Sequence, residues 1–308
     1  MPLARLLPPA LRPGDLIGVC APASPIREDA LARGEDALAA RGFRLRRAPG
    51  LLGRTRYTAG SLAERLADLV DLLVDPDVRG IVFARGGYGS MHLLEHLDPE
   101  LYARDPKVLV GASDLSFVLL DALERAGLAC FHGPMVAGDI AAGSTDLDAL
   151  VRMVSDPRPF GPITAKGLRA LHPGVAEGPL AGGCLSMVTA LLGTPYAPTT
   201  TGSVLFLEDV AVKPYQIDRM LTHLRLAGKL TAVRAVVFGE MPGCVQHPDQ
   251  GYELDEVLAE LTADLGVPVL AGLPSGHTTG NSQTLPLGVT CRVSTSPPEL
   301  SVVAAAVR

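Results

Sequence analysis

The chain has 308 residues, 47% of them apolar and only 4% aromatic, with no Trp and a formal net charge of −6. An acidic balance with so few stacking rings excludes a general polyanion binder or a base-stacking nucleic-acid module, and the densest basic run, Arg44 with Arg46 and Arg47, reads as the solvated edge of a strand. The length exceeds what one hydrophobic core usually organises, so two domains are expected.

The amino-terminal run Met1-Pro-Leu-Ala-Arg-Leu-Leu-Pro-Pro is too short and too interrupted by Pro for a signal peptide. No stretch is long enough to span a bilayer, so a cytoplasmic protein without a membrane partner is expected. Residues 15–21 read as strand, 27–41 as a helix stopped at Gly42, and 43–47 as strand. Residues 61–74 read as a helix opened by Ser61-Leu-Ala-Glu64, a capping box in which hydroxyl and carboxylate satisfy free N–H groups of the first turn. The short continuous apolar runs at 80–84 and 107–110 suit strands buried on both faces of a parallel sheet. Residues 115–126 form a helix ended by Gly127, and 128–131 a further strand. This βαβ repetition predicts a doubly wound parallel-sheet domain over 1–156, with ligands beyond the carboxyl ends of its strands.

Between 157 and 183 the sequence turns Pro/Gly-rich without helical periodicity and reads as a linker. Beyond it, helices at 185–192, 214–226 and 254–265 alternate with strands at 203–207, 235–238 and 268–271, followed by short strands. That predicts a second α/β domain over 184–308 and an active site in the cleft between the two. The five cysteines, at 20, 130, 184, 244 and 291, are odd in number and lack C-x-x-C spacing. They read as small apolar residues in a reducing compartment, which leaves one reactive thiol or one bridge open.

Three separated segments end in the residue types a serine hydrolase needs. Val108-Leu-Val-Gly-Ala-Ser113-Asp stops an apolar strand at a strand-to-helix turn, which exposes a hydroxyl at the sheet edge and aims the Asp114 N–H where an oxyanion forms. Glu208 ends an apolar strand, and His277 stands in a glycine-flanked loop after another. A serine hydroxyl needs an imidazole to take its proton, and the imidazole needs an acid on its other nitrogen. Each residue also has a plain structural reading: a helix cap for Ser113, an exposed carboxylate for Glu208. The loop Arg85-Gly86-Gly87-Tyr88-Gly89 lets backbone N–H groups approach a ligand, to supply an oxyanion hole or to cradle phosphate. It lacks G-x-G-x-x-G and the Walker lysine, so nucleotide binding is the weaker use. A different chemistry is offered by His92-Leu-Leu-Glu95-His96, the H-x-x-E-H spacing of a zinc hydrolase, which expects both imidazoles on one helix face. A non-catalytic ligand-binding module using the glycine loop is the remaining alternative.

Arg85-Gly-Gly-Tyr-Gly89, Gly111-Ala-Ser-Asp114, His132-Gly-Pro134, Gly182-Gly-Cys-Leu185, Leu207-Glu-Asp209, Lys213-Pro-Tyr-Gln-Ile-Asp-Arg219, Leu273-Pro-Ser-Gly-His277 and Leu285-Pro-Leu-Gly288 run in order along nearly the whole chain. Together they resemble the LD-carboxypeptidases, the serine peptidase family of muramoyltetrapeptide carboxypeptidase and the microcin-immunity peptidases. The resemblance implies a triad of Ser113, Glu208 and His277, and an oxyanion hole from the N–H groups of Gly87 and Asp114. Gly86 and Tyr88 beside that loop are expected to meet the substrate. It also implies a cytoplasmic homodimer without metal or other cofactor, acting on a murein tetrapeptide whose terminal D-Ala is released. The run Glu208-Asp-Val-Ala-Val-Lys-Pro-Tyr favours the cell-wall branch over the microcin-immunity branch.

Overall fold

The computed structural model describes residues 5–163, 165–246 and 250–308, so the first four residues of the amino-terminal run lie outside it. Five strands, β1 (Leu16–Val19), β2 (Arg44–Arg47), β3 (Val78–Val82), β4 (Val108–Gly111) and β5 (Cys130–His132), pair in parallel in the order 2-1-3-4-5. Every residue of β4 and β5 is buried, as the continuous apolar runs required, whereas β2 lies at the edge with Arg44 and Arg47 in solvent. Helices α1 (Glu28–Ala39), α2 (Leu62–Val74), α3 (Glu100–Ala103), α4 (Ser116–Ala126) and α5 (Leu147–Ser155) complete this part. The capping box on α2 forms, with the Ser61 hydroxyl accepting the Glu64 N–H at 3.3 Å and the Glu64 carboxylate accepting the Ser61 N–H at 2.7 Å.

The second sheet has a parallel centre made of β8 (Val175–Cys184), β9 (Val204–Glu208), β10 (Ala235–Gly239) and β11 (Val269–Leu273). Beside β8 lie β13 (Thr290–Thr295), β14 (Pro298–Val302) and β6 (Gly161–Ile163), each antiparallel to its neighbour, and β7 (Arg169–His172) closes the other edge against β11. Helices α6 (Leu185–Ala190), α7 (Pro214–Leu226) and α8 (Leu254–Thr262) belong to this part. The stretch 157–183, expected to be a linker, therefore holds β6, β7 and most of β8. The two short strands sit at sheet edges, where Pro and polar residues are tolerated. Gly178 within β8 is required by close approach, since a Cβ there would stand 2.5 Å from the Gly202 carbonyl oxygen.

Helix α4 packs against β4 and β5 on one side and β8 and α6 on the other, which is why Ser116 to Leu123 are all buried. A helix covered all round needs no polar face. Truncating one of its fully buried leucines, such as Leu119, to Ala would cost about 2–5 kcal/mol. The two halves are also interlocked: β12 (Leu285–Leu287), late in the chain, pairs antiparallel with β5, and only Gly288 and Val289 separate it from β13 in the other sheet. Among the described residues the five cysteines are buried and unbridged, and no helix is long and apolar enough to cross a membrane.

Candidate active site

Strand β4 ends at Gly111, where a Cβ would press on Phe83 at 2.8 Å and Leu115 at 3.0 Å. Ala112 is extended, and Ser113 then adopts φ of +59°, a left-handed conformation that costs a non-glycine residue about 1–2 kcal/mol. The chain reverses there into α4, leaving Ser113 half-buried on a cavity of about 390 Å³. Gly86 from the glycine loop lies against it; a Cβ at Gly86 would stand 2.9 Å from Ser113 Cβ and 3.2 Å from its Oγ. Two hydrogen bonds from Ser90 tie this loop to the serine turn, its N–H to Asp114 Oδ2 at 2.8 Å and its hydroxyl to the Asp114 carbonyl at 2.6 Å. The Tyr88 N–H donates to Ser24 Oγ at 3.1 Å, whereas the N–H groups of Gly87 and Asp114 find no protein acceptor among the described residues. These are two free donors, one on the glycine loop that lines the cavity and one on the residue after Ser113.

The parallel order of the second sheet brings the carboxyl ends of β9 and β11 to the same side. Glu208, at the end of β9, is 0% exposed. Its Oε2 accepts the backbone N–H of His277 at 2.9 Å and lies 2.8 Å from His277 Nδ1. Burial alone disfavours the His277 imidazolium, but the hydrogen bond and charge of Glu208, with Asp209 and Asp139, outweigh it and hold the ring above its usual pKa. Glu208 shows the converse: burial opposes its ionisation, yet the bonds from His277 and the nearby His132 keep it below the usual carboxylate range. Gly276 makes the contact possible. Its φ is +75°, and a Cβ would collide with the Glu208 carboxyl carbon.

Ser113, Gly86 and Gly87 from the first half and His277 from the second thus line one cavity, with Glu208 directly behind the imidazole. The Tyr88 side chain is not brought to it; that ring packs edge-on against Tyr57 and His92, with centroids 5.2 and 5.5 Å away. Two charged residues that the sequence had not assigned, Arg85 and Asp139, also line the cavity. Arg85 stood inside the glycine motif without a role, and Asp139 follows a loop with no periodicity to mark it. Asp209 points elsewhere, accepting the Ser186 N–H and hydroxyl at 2.9 and 2.6 Å. A larger groove of about 930 Å³ includes Arg169, Tyr252 and Glu240. Glu240 accepts the Thr279 N–H and hydroxyl at 2.7 and 2.9 Å and so braces the His277 loop.

The alternative zinc reading, which needs both imidazoles on one helix face, does not fit this geometry. His92, Glu95 and His96 lie in a 3₁₀ helix (Ser90–His96), whose three residues per turn set positions four apart a third of a turn from one another, and all three side chains are exposed. Among the described residues no group of three or more His, Cys, Asp or Glu is placed to hold a metal ion.

Residues 17–133 match the LD-carboxypeptidase N-terminal domain, and residues 177–293 the LD-carboxypeptidase C-terminal domain. The chain is 35% identical over 295 residues to a probable murein peptide carboxypeptidase of Bacillus subtilis, covering 94% of this chain and 92% of that one. It is 33% identical over 273 residues to the murein tetrapeptide carboxypeptidase of Pseudomonas aeruginosa, with 85% and 87% covered. Among solved structures, muramoyltetrapeptide carboxypeptidase from Oxalobacter formigenes superimposes with a TM-score of 0.82 at 29% identity, over 93% of this chain and 97% of that one. The microcin C7 self-immunity protein MccF shares the fold, with a TM-score of 0.91 at 23% identity over 98% and 100% of the two chains.

Proposed function

The chain belongs to the LD-carboxypeptidase family and is a serine carboxypeptidase, and from that premise we propose that Ser113, Glu208 and His277 release the carboxyl-terminal D-alanine of a murein tetrapeptide. The observation that carries the assignment is the buried Glu208–His277 pair facing the same cavity as the strained Ser113. Ser113 Oγ attacks the scissile carbonyl as His277 Nε2 takes its proton. Glu208 fixes the Nδ1–H tautomer and offsets the imidazolium charge, and the free N–H groups of Gly87 and Asp114 receive the oxyanion. His277 then gives the proton to the departing D-alanine nitrogen, and water enters by the reverse sequence to hydrolyse the acyl-enzyme.

An exopeptidase must recognise the terminal carboxylate. Among the described residues Arg85 is the one Lys or Arg lining the cavity, and its Nη1 is anchored on the Pro25 carbonyl at 3.0 Å, so it is assigned that role. Mass spectrometry of a tetrapeptide ending in D-Ala, beside the same peptide with a terminal amide, tests the reading. Loss of D-alanine from the acid and little or none from the amide is expected. An intact acid peptide, in protein whose serine still reacts with a fluorophosphonate, would overturn the substrate assignment.

A further inference from the structure

The environment of Glu208 contains more than its bond to His277. Its Oε2 carries both bonds from His277, while Oε1 is buried, has no hydrogen-bond partner among the described residues and lies 3.7 Å from Nε2 of His132. His132 is 0% exposed, and among the described residues neither of its ring nitrogens has a hydrogen-bond partner. Leaving polar atoms buried and unpaired is costly, and here two of them, Oε1 and Nε2, face each other. The imidazole cannot drift: it stands on β5 between Gly111 of β4 and Leu285 of β12, and Phe206 packs edge-on against it with centroids 5.3 Å apart. Glycines make the space. A Cβ at Gly276 would stand 2.7 Å from His132 Nε2, and one at Gly239 would stand 2.5 Å from Glu208 Cβ.

We propose that His132 is a positioning residue for the reaction, donating its Nε2–H toward the free oxygen of Glu208 so that the carboxylate is held between two imidazoles. The inference rests on Glu208 being the acid behind His277. Nε2 carries the proton because it is the ring nitrogen that faces Glu208 Oε1, and an ionised carboxylate oxygen can only accept. Burial holds His132 below the usual imidazole pKa despite the Glu208 charge, so it acts as a neutral donor. A neutral donor suits the task, because it fixes and partly screens the carboxylate without competing as a second cation for the charge that His277 needs.

The consequence for His277 has a definite sign. A donor on Oε1 withdraws charge from the carboxylate; without it, Glu208 grips the imidazolium more strongly and His277 loses its proton at higher pH. The other groups that bear on His277, Asp209 just after β9 and Asp139 from the segment after β5, are unchanged by the substitution. The test is a pH titration of the imidazole ¹⁵N signals, which requires no substrate and therefore stands or falls separately from the D-alanine assay. In the native protein His132 should stay neutral and protonated on Nε2 across the titration. In His132→Phe the His277 pKa should rise by about half a unit, lowering kcat/KM at acid pH about threefold. His132→Gln, which returns an N–H donor near Nε2, should restore both. A His132 protonated on Nδ1 in the native protein overturns the proposal whatever the variants do. So does an unmoved His277 titration in folded His132→Phe, or a His132→Gln that behaves like the Phe variant.

Discussion

Replacing Gly276 with Ala separates the geometry of this site from its chemistry. The φ of +75° costs an alanine about 1–2 kcal/mol. Its Cβ would collide with the Glu208 carboxyl carbon and stand 2.7 Å from both Glu208 Oε2 and His132 Nε2. None of these is the loose end of a flexible chain, since Oε2 is pinned by two hydrogen bonds and His132 is packed on Phe206, so overpacking adds about 1–3 kcal/mol. The total, about 2–5 kcal/mol, is a sizeable part of the roughly 5–15 kcal/mol that holds a typical protein folded, and predicts a fall in Tm on the order of 10 °C. Because the displaced atoms belong to Glu208, kcat should also fall roughly 10²-fold. Gly280→Ala in the same loop is the control, as a Cβ there meets nothing within 4 Å and its φ is not in the left-handed region. Calorimetry and turnover of the tetrapeptide measure both effects. A Gly276→Ala protein within about 2 °C of the native Tm and within about threefold of its rate, no different from Gly280→Ala, would refute the assigned packing.

Ser113→Ala and His277→Ala should each lower kcat by roughly 10⁴ to 10⁶ with the fold retained, read by steady-state kinetics and circular dichroism; more than about a tenth of native rate in folded Ser113→Ala would show the nucleophile to be misassigned. His277 is active when neutral, and Glu208 raises its pKa against the effect of burial, so Glu208→Gln leaves burial dominant and should move the acid limb of kcat/KM to lower pH as the rate falls. An acid limb fixed at the native pH would point to Asp139, which lines the cavity, as the partner carboxylate. Exhaustive dialysis against EDTA should leave activity intact, and loss restored by zinc would revive the His92 and His96 alternative.

The parts legible in the sequence were those where a local rule and the tertiary demand coincide. A strand buried on both faces must be apolar throughout, so β4 and the end of β3 from Gly80 announce themselves, and Ser61 with Glu64 marks a helix start wherever it occurs. Glu208 and His277 were legible one at a time as a strand end and a glycine-flanked loop, but the resemblance, not the spacing, paired them. What hid β6 and β7 was their place at the sheet edges, where Pro162 or an exposed Arg169 carries little penalty. In β8 the strand changes partners, antiparallel to β13 in its first half and parallel to β9 in its second, so neither alternation nor a continuous apolar run describes it. The H-x-x-E-H spacing offered an alternative only because it presumes 3.6 residues per turn, and the chain there winds more tightly. His132 stood in the segment His132-Gly-Pro134 of the resemblance without a role, because one histidine in an apolar run looks the same whether or not a carboxylate waits beside it.

The return of β12 to the edge of β5 bears on how such an enzyme could be divided. Cut between its two sheets, the amino-terminal piece would keep the serine but present the backbone of β5 bare to any passing strand, an invitation to aggregate. The other piece would carry three orphaned residues that belong to its neighbour's sheet. Swapping halves between relatives should therefore succeed only when the crossover preserves the match between these two short strands, which makes Ser113 and His277 a single inheritable unit although they lie more than a hundred residues apart.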